Sequence, residues 1–157
     1  MSEAHHSTFV IERELPSGPG HAFRFWSDPA LKHRWNGCHP DWTVLEDIFE
    51  FHVGGTEARR WRTPEGHEQT FAAPYFDIEP QRRIIYAFEM SFGGQRQSVS
   101  LATVEFQPAG TATRMLYTEQ LAFLGSAEAR RLRIAGTGTG FDRLVEVIAS
   151  EASQPAR

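Results

Sequence analysis

The pattern that most constrains the fold is a long stretch of two-residue alternation between positions 42 and 123. Apolar and polar side chains alternate there in short segments, most clearly from Ile84 to Phe92. Short turns separate the segments, at Gly54-Gly55, 63–66, 79–82, Gly93-Gly94 and 108–110. Strands joined by such turns pair antiparallel with their neighbours in the chain. The sequence therefore predicts an antiparallel meander of about six strands.

Helical patterns flank the alternating stretch on both sides. A first strand at Thr8–Leu15 precedes two short helical patterns, at 19–26 and Pro29–Trp35. After Gly125-Ser126, apolar residues recur at helical spacing, and the clearest stripe runs from Phe141 to Ile148. This order predicts an α+β fold in which a curved antiparallel sheet wraps around one long C-terminal helix.

The length of 157 residues corresponds to about one ordinary domain. Apolar residues make up 40% and charged residues 23%, as in a typical globular protein. We expect a single domain over residues 8–151. Residues 1–7 and 152–157 are predicted to be disordered tails.

Charge and hydropathy exclude two classes of partner. The net charge is −4, whereas a general nucleic-acid binder needs a basic surface. No apolar stretch is long enough to span a membrane. We therefore expect neither nucleic acid nor a membrane as partner. The sixteen basic residues include one lysine, Lys32, a skew that we attribute to genome composition.

Cysteine content and the N-terminal residues bear on location. The one cysteine, Cys38, cannot form an internal disulfide, which is typical of a reducing compartment. Residues 1–7 lack the basic and apolar runs of a signal peptide. We expect a cytoplasmic location.

Two stretches resemble cofactor or metal motifs without meeting their requirements. The glycine-rich run at 136–140 lacks the third glycine of a dinucleotide loop, because Phe141 occupies that position. We interpret its glycines as allowing a helix to approach the sheet closely. The spacing of His33, Cys38 and His39 matches no usual zinc site. We therefore expect no cofactor and no metal.

Two strands place a carboxylate beside a phenol. Tyr75 and Asp77 share one face of their predicted strand, and Tyr117 and Glu119 share one face of theirs. If these faces point inward, such pairs can grip a polar ligand or transfer protons. The alternative is a solvated face or a structural hydrogen bond. Arg59 is either an anchor for an anionic ligand or a surface arginine.

Aromatic residues make up 12% of the chain, and large flat rings are hard to pack without gaps. A strongly curved sheet closed by one helix leaves space for a ligand cavity, whose wall is the inward strand face. The candidate ligand-binding residues are Trp35, Phe49, Phe51, Arg59, Trp61, Phe71, Tyr75, Asp77, Tyr86, Phe88, Met90, Tyr117, Glu119 and Phe141.

Several short stretches, in this order and spacing, carry a family resemblance over about residues 8–150. They are Phe9-Val10-Ile11-Glu12-Arg13, Asp28-Pro29, Arg34-Trp35, Phe51-His52-Val53-Gly54-Gly55, Tyr75-Phe76-Asp77-Ile78-Glu79-Pro80, Thr118-Glu119-Gln120 and Gly140-Phe141-Asp142-Arg143-Leu144. The chain resembles the activator-of-heat-shock-protein-ATPase homologue-like branch of the START-like (SRPBCC) superfamily, which includes polyketide cyclases. The resemblance implies a helix-grip fold, with seven antiparallel strands around the C-terminal helix and a cavity between them. It implies no catalytic residue.

Three functions stay open at this point. The first is binding of a small hydrophobic or aromatic molecule in the cavity. The second is a cyclase- or aromatase-like enzyme that uses Asp or Glu acid–base chemistry. The third is a module that interacts with a chaperone, as an ATPase activator would. A homodimer through an exposed strand edge is a further alternative.

Overall fold

The computed structural model describes residues 3–152. Its elements are β1 (His5–Leu15), α1 (Pro19–Ser27), α2 (Pro29–Trp35), β2 (Thr43–Phe49), β3 (Thr56–Arg62), β4 (Glu68–Glu79), β5 (Arg83–Phe92), β6 (Gln95–Ala109), β7 (Ala112–Phe123) and α3 (Ala127–Ala152).

The seven strands form one antiparallel sheet in the order β1-β7-β6-β5-β4-β3-β2. Strands β2 to β7 pair with their chain neighbours, which confirms the predicted meander. Strand β1 closes the sheet by pairing with β7. With α3 and the two short helices after β1, this is the predicted α+β helix-grip architecture.

Strand β1 begins earlier than the alternation indicates. It starts at His5, which lies opposite Phe123 in the register with β7. His5 to Ser7, predicted to be disordered, therefore belong to the strand, because backbone pairing with β7 does not require apolar side chains. Ala152, also predicted to lie in a tail, is the last residue of α3, and residues 3–4 belong to no helix or strand. The remaining tail residues, 1–2 and 153–157, lie outside the described residues.

A bulge changes which side chains of β4 face the core. Register with β5 shifts between Tyr75 and Asp77, directly after Pro74, a residue type that is confined within sheets to edge strands, strand starts and bulges. An extra residue in one strand reverses the alternation beyond it. Ile78 therefore packs against the core, opposite the buried Ile84.

Helix α3 closes the concave side of the sheet. Its first turn is capped by Ser126, whose hydroxyl accepts a hydrogen bond from the Ala129 backbone N–H at 3.0 Å. The predicted stripe of Phe141, Leu144 and Ile148 is buried in the core. Within residues 3–152, no helix has the length and apolarity needed to span a membrane.

Truncating Leu144 tests this packing. The side chain is fully buried, so Leu144→Ala is expected to lower the free energy of unfolding by about 2–5 kcal/mol. The neighbouring Arg143 is exposed, and Arg143→Ala is the matched control. Urea unfolding followed by circular dichroism measures both variants; equal stabilities would contradict the packing described.

Candidate functional site

A cavity of about 370 Å³ lies between the sheet and α3. This volume falls within the range of ligand pockets, roughly 300–1,000 Å³. The side chains that line it come from α1, α2, α3 and the inner face of the sheet. They belong to Trp26, Lys32, Trp35, Asn36, Glu57, Arg59, Trp61, Gln69, Thr70, Phe71, Tyr86, Phe88, Met90, Tyr117, Leu132, Arg133, Thr137 and Phe141, and Gly136 and Gly140 also line the wall.

Glycines in the interior of α3 keep the cavity open. A Cβ atom added at Gly136 or Gly140 would meet no atom within 4 Å. At Gly138 an added Cβ would instead lie 3.5 Å from Nη2 of Arg13, on β1. This is an ordinary van der Waals distance, so Gly138 lies against β1 without the contact itself requiring a glycine. The other two glycines leave space that a larger side chain would occupy.

Aromatic rings form the floor of the cavity. The ring centroids of Phe71 and Phe88 are 5.2 Å apart, and those of Tyr86 and Phe88 are 5.7 Å apart. Phe71 lies on β4, whereas the other two rings lie on β5, so the floor crosses two paired strands. A flat apolar molecule can stack on this surface.

A buried ion pair forms one polar wall. Oε2 of Glu57 lies 2.6 Å from Nζ of Lys32 and accepts a hydrogen bond from the Tyr75 hydroxyl at 2.9 Å. Nε of Arg59 is 3.2 Å from the other carboxylate oxygen. Burial raises the pKa of Glu57, but the charges of Lys32 and Arg59 outweigh it and hold the pKa below its ordinary value. Glu57 is therefore an anion at neutral pH.

A second buried carboxylate lies behind the opposite wall. Oε1 of Glu119 accepts a hydrogen bond from the Tyr117 hydroxyl at 2.5 Å. Its Oε2 accepts from the Ser100 hydroxyl at 2.7 Å and from Nη2 of Arg133 at 2.8 Å. Arg133 also donates to the Thr137 hydroxyl at 2.8 Å. The network joins β6, β7 and α3.

The structure places nine of the fourteen candidate residues on the cavity wall. These are Trp35, Arg59, Trp61, Phe71, Tyr86, Phe88, Met90, Tyr117 and Phe141. Phe49, Phe51 and Tyr75 pack together behind it, with the ring centroids of Phe51 and Tyr75 5.1 Å apart. Glu119 reaches the cavity only through Tyr117 and Arg133.

Asp77 does not belong to this site, and its expected inward position is wrong. The bulge after Tyr75 turns the Asp77 side chain to the outer face of the sheet. There it is 39% exposed and accepts a hydrogen bond from Nε of Arg83 at 2.6 Å. The alternation alone does not reveal this reversal.

Sequence reasoning missed three charged residues of the site. Lys32 carried a signal, because it is the one lysine among sixteen basic residues. Glu57 shares the strand face of Arg59 and could have been included with it. Arg133 carried none, since it is one of three arginines close together before the glycine run.

The two histidines considered for zinc contact different partners. Nε2 of His33 lies 2.6 Å from Oδ2 of Asp47, and Nδ1 of His39 accepts the Asp41 backbone N–H at 3.1 Å. Among the residues that the structure describes, no group of three His, Cys, Asp or Glu side chains is placed to hold a metal.

Removing the Glu57 charge tests the buried ion pair. Glu57→Gln leaves Lys32 and Arg59 without their shared anion, so we expect a loss of about 3–5 kcal/mol in unfolding free energy. Adding Lys32→Met to this variant removes one of the stranded cations and should restore part of the loss. Chemical denaturation of both variants measures this. If Glu57→Gln alone is as stable as the wild type, the buried ion pair is contradicted.

Tyr75 and Tyr117 are buried and Tyr86 is half-buried, which predicts a delayed alkaline titration of the three tyrosines of the chain. Burial and nearby carboxylates raise the pKa values of Tyr75, Tyr86 and Tyr117 above the ordinary value. The folded state keeps these protons when the unfolded chain has lost them, so this stability is complete below about pH 10 and is lost as pH rises further. Tyrosinate absorbance at 295 nm should appear together with unfolding. A tyrosinate signal near pH 10 in folded protein would contradict the burial.

Comparison with known proteins agrees with the fold. The family model described as "Activator of Hsp90 ATPase homolog 1-like protein" matches residues 18–151. A solved protein from Rhizobium leguminosarum is 39% identical, with a TM-score of 0.88, and the match covers 96% of this chain and 99% of that one. A second, from Rhizobium loti, is 37% identical, with a TM-score of 0.84 and coverages of 92% and 98%.

A more distant structure, from Mycobacterium smegmatis, shares the fold at 15% identity and a TM-score of 0.70, with 99% of each chain covered. No protein of curated function matches the chain. With a family model covering most of its length, a seven-stranded sheet and a closing C-terminal helix, the chain belongs to the Activator of Hsp90 ATPase homolog 1-like family, within the START-like superfamily.

Proposed function

We propose that this protein binds a small hydrophobic molecule with an aromatic ring system in the cavity between the sheet and α3. The observation that carries the proposal is a cavity of about 370 Å³ with a continuous aromatic floor. For comparison, an apolar cavity of about 150 Å³ suffices for benzene. The volume here accommodates a molecule of two rings.

The state of the carboxylates supports binding over acid–base catalysis. A general base needs a free lone pair within reach of the substrate proton and a pKa near the working pH. Glu119 uses both oxygens for internal hydrogen bonds. Burial raises the pKa of Glu57 less than the charges of Lys32 and Arg59 together lower it, so this pKa lies below its ordinary value. Both carboxylates therefore serve to hold cations and phenols in place.

The phenols support the same conclusion. Burial, together with nearby carboxylates, raises the pKa values of Tyr86 and Tyr117, the two tyrosines on the cavity wall. Neither forms a phenolate at neutral pH. The Tyr117 proton is already donated to Glu119, and neither phenol acts as a base.

Filling the cavity from α3 tests the proposal. The space beside Gly140 is open, so the leucine side chain of Gly140→Leu should occupy it and lower the affinity for aromatic ligands by about tenfold or more. Thr139→Leu adds the same side chain at an exposed neighbouring position and is the control. Isothermal titration with indole, 2-naphthamide, cinnamate and 2-naphthoate provides the measurement.

At least one of these compounds should bind the wild type and Thr139→Leu with one-to-one stoichiometry. Absence of saturable binding by all four would overturn the proposal. Equal affinities in Gly140→Leu and the wild type would place the binding site elsewhere and overturn it as well.

A further inference from the structure

We propose that Arg59 anchors a carboxylate of the ligand, so that the cavity selects aromatic acids over neutral aromatic molecules of the same shape. This inference rests on the proposed function and names its ligand class. It starts from the charges of the wall. Lys32, Arg59 and Arg133 line the cavity, whereas Glu57 is the one carboxylate on the wall among the described residues.

Arg59 is the cation whose charge is least compensated. Lys32 has Glu57 at 2.6 Å, and Arg133 has Glu119 at 2.8 Å. Arg59 shares Glu57 with Lys32 and lies 3.9 Å from Asp47, a carboxylate that also contacts a histidine. Its side chain is only 5% exposed, and a buried charge of this kind is costly without a counterion.

Three hydrogen-bond donors around the cavity lack an acceptor among the described residues. Nε of Arg59 is buried and, although 3.2 Å from Oε1 of Glu57, makes no hydrogen bond within residues 3–152. The indole nitrogen of Trp26 and Nε of Arg133 also lack an acceptor, and all three residues line the cavity. These nitrogens expose almost no surface, so they add positive potential to the wall rather than direct contacts with a ligand. A carboxylate offers acceptors alone.

The geometry leaves Nη2 of the Arg59 guanidinium available. Nη1 donates to the backbone and side-chain oxygens of Asn36. Nε faces Oε1 of Glu57 at 3.2 Å, whereas Nη2 donates to no residue of the described chain. Nη2 can therefore donate a charge-assisted hydrogen bond to a ligand carboxylate.

The aromatic floor begins beside this guanidinium. Arg59 lies opposite Phe71 in the register of β3 with β4, and Phe71 contacts Phe88. The guanidinium carbon is itself 5.4 Å from the centre of the Trp61 ring. A ligand with its carboxylate at Arg59 therefore extends its rings over Phe71 and Phe88.

Matched acids and primary amides test the selection. We would titrate the wild type at pH 7 with benzoate and benzamide, cinnamate and cinnamamide, and 2-naphthoate and 2-naphthamide. Each pair has the same shape and differs in charge. The acid of the best-fitting pair should bind about tenfold tighter or more, as hydrogen bonds to a charged group typically provide.

Substituting Arg59 ties the selection to this residue. In Arg59→Gln the preference for the acid should fall to about twofold or less, while the affinity for the amide should change less than about threefold. Arg60→Gln is the control, because Arg60 is on the opposite strand face and pairs with Glu68 at 2.9 Å. It should keep the wild-type preference.

If Arg59→Gln does not fold, Arg59→Lys takes its place, because it retains a cation beside Glu57 but lacks the guanidinium group. The Nε–H signal that is absent from the NMR spectrum of Arg59→Lys identifies the Arg59 resonance in the wild type. That resonance should shift when the acid is added and not when the amide is added.

The outcomes separate the two proposals. Equal or tighter binding of the amides overturns the Arg59 anchor and leaves the proposed binding of aromatic molecules in the cavity unaffected. An acid preference that persists in Arg59→Gln, or an unshifted Arg59 resonance, also overturns the anchor. Failure of all six compounds overturns both proposals.

Discussion

Two buried carboxylates connect the walls of the cavity, and its shape depends on them. Glu57 on β3 holds Lys32 of α2, while Glu119 on β7 holds Arg133 of α3. Each helix is thereby attached to the inner face of the sheet by a charge-assisted hydrogen bond rather than by apolar packing alone. Because breaking a buried ion pair is costly, these contacts oppose both collapse and opening of the space between them.

The helix that closes the sheet leaves the sheet partly uncovered. Its C-terminal half, with Phe141, Leu144 and Ile148, packs into the core, but the preceding stretch has Gly136 and Gly140 where side chains would fill the concave face. A glycine in a helix interior costs about 1 kcal/mol relative to alanine. The chain carries this cost at positions where an alanine would fit without any clash, which is consistent with an open cavity as a functional requirement.

Apolar and polar features of the cavity have separate roles in the proposed function. The rings of Phe71, Tyr86 and Phe88 supply a surface on which a flat molecule stacks. Arg59 supplies orientation. Cations outnumber carboxylates on the wall among the described residues, and selectivity for an anionic ligand follows from this imbalance.

The sequence by itself determined the element order, because alternation and helical spacing report which side chains share a face. It also identified most aromatic residues of the cavity, since inward strand faces carry them. It could not determine the direction of those faces, and the bulge near Pro74 therefore misled the interpretation of Asp77. Lys32 and Glu57 are 25 residues apart, and their pairing exists only once α2 lies across β3. Tertiary structure alone decided which charges are buried together, because burial and distance, not residue type, set the energy of a charge.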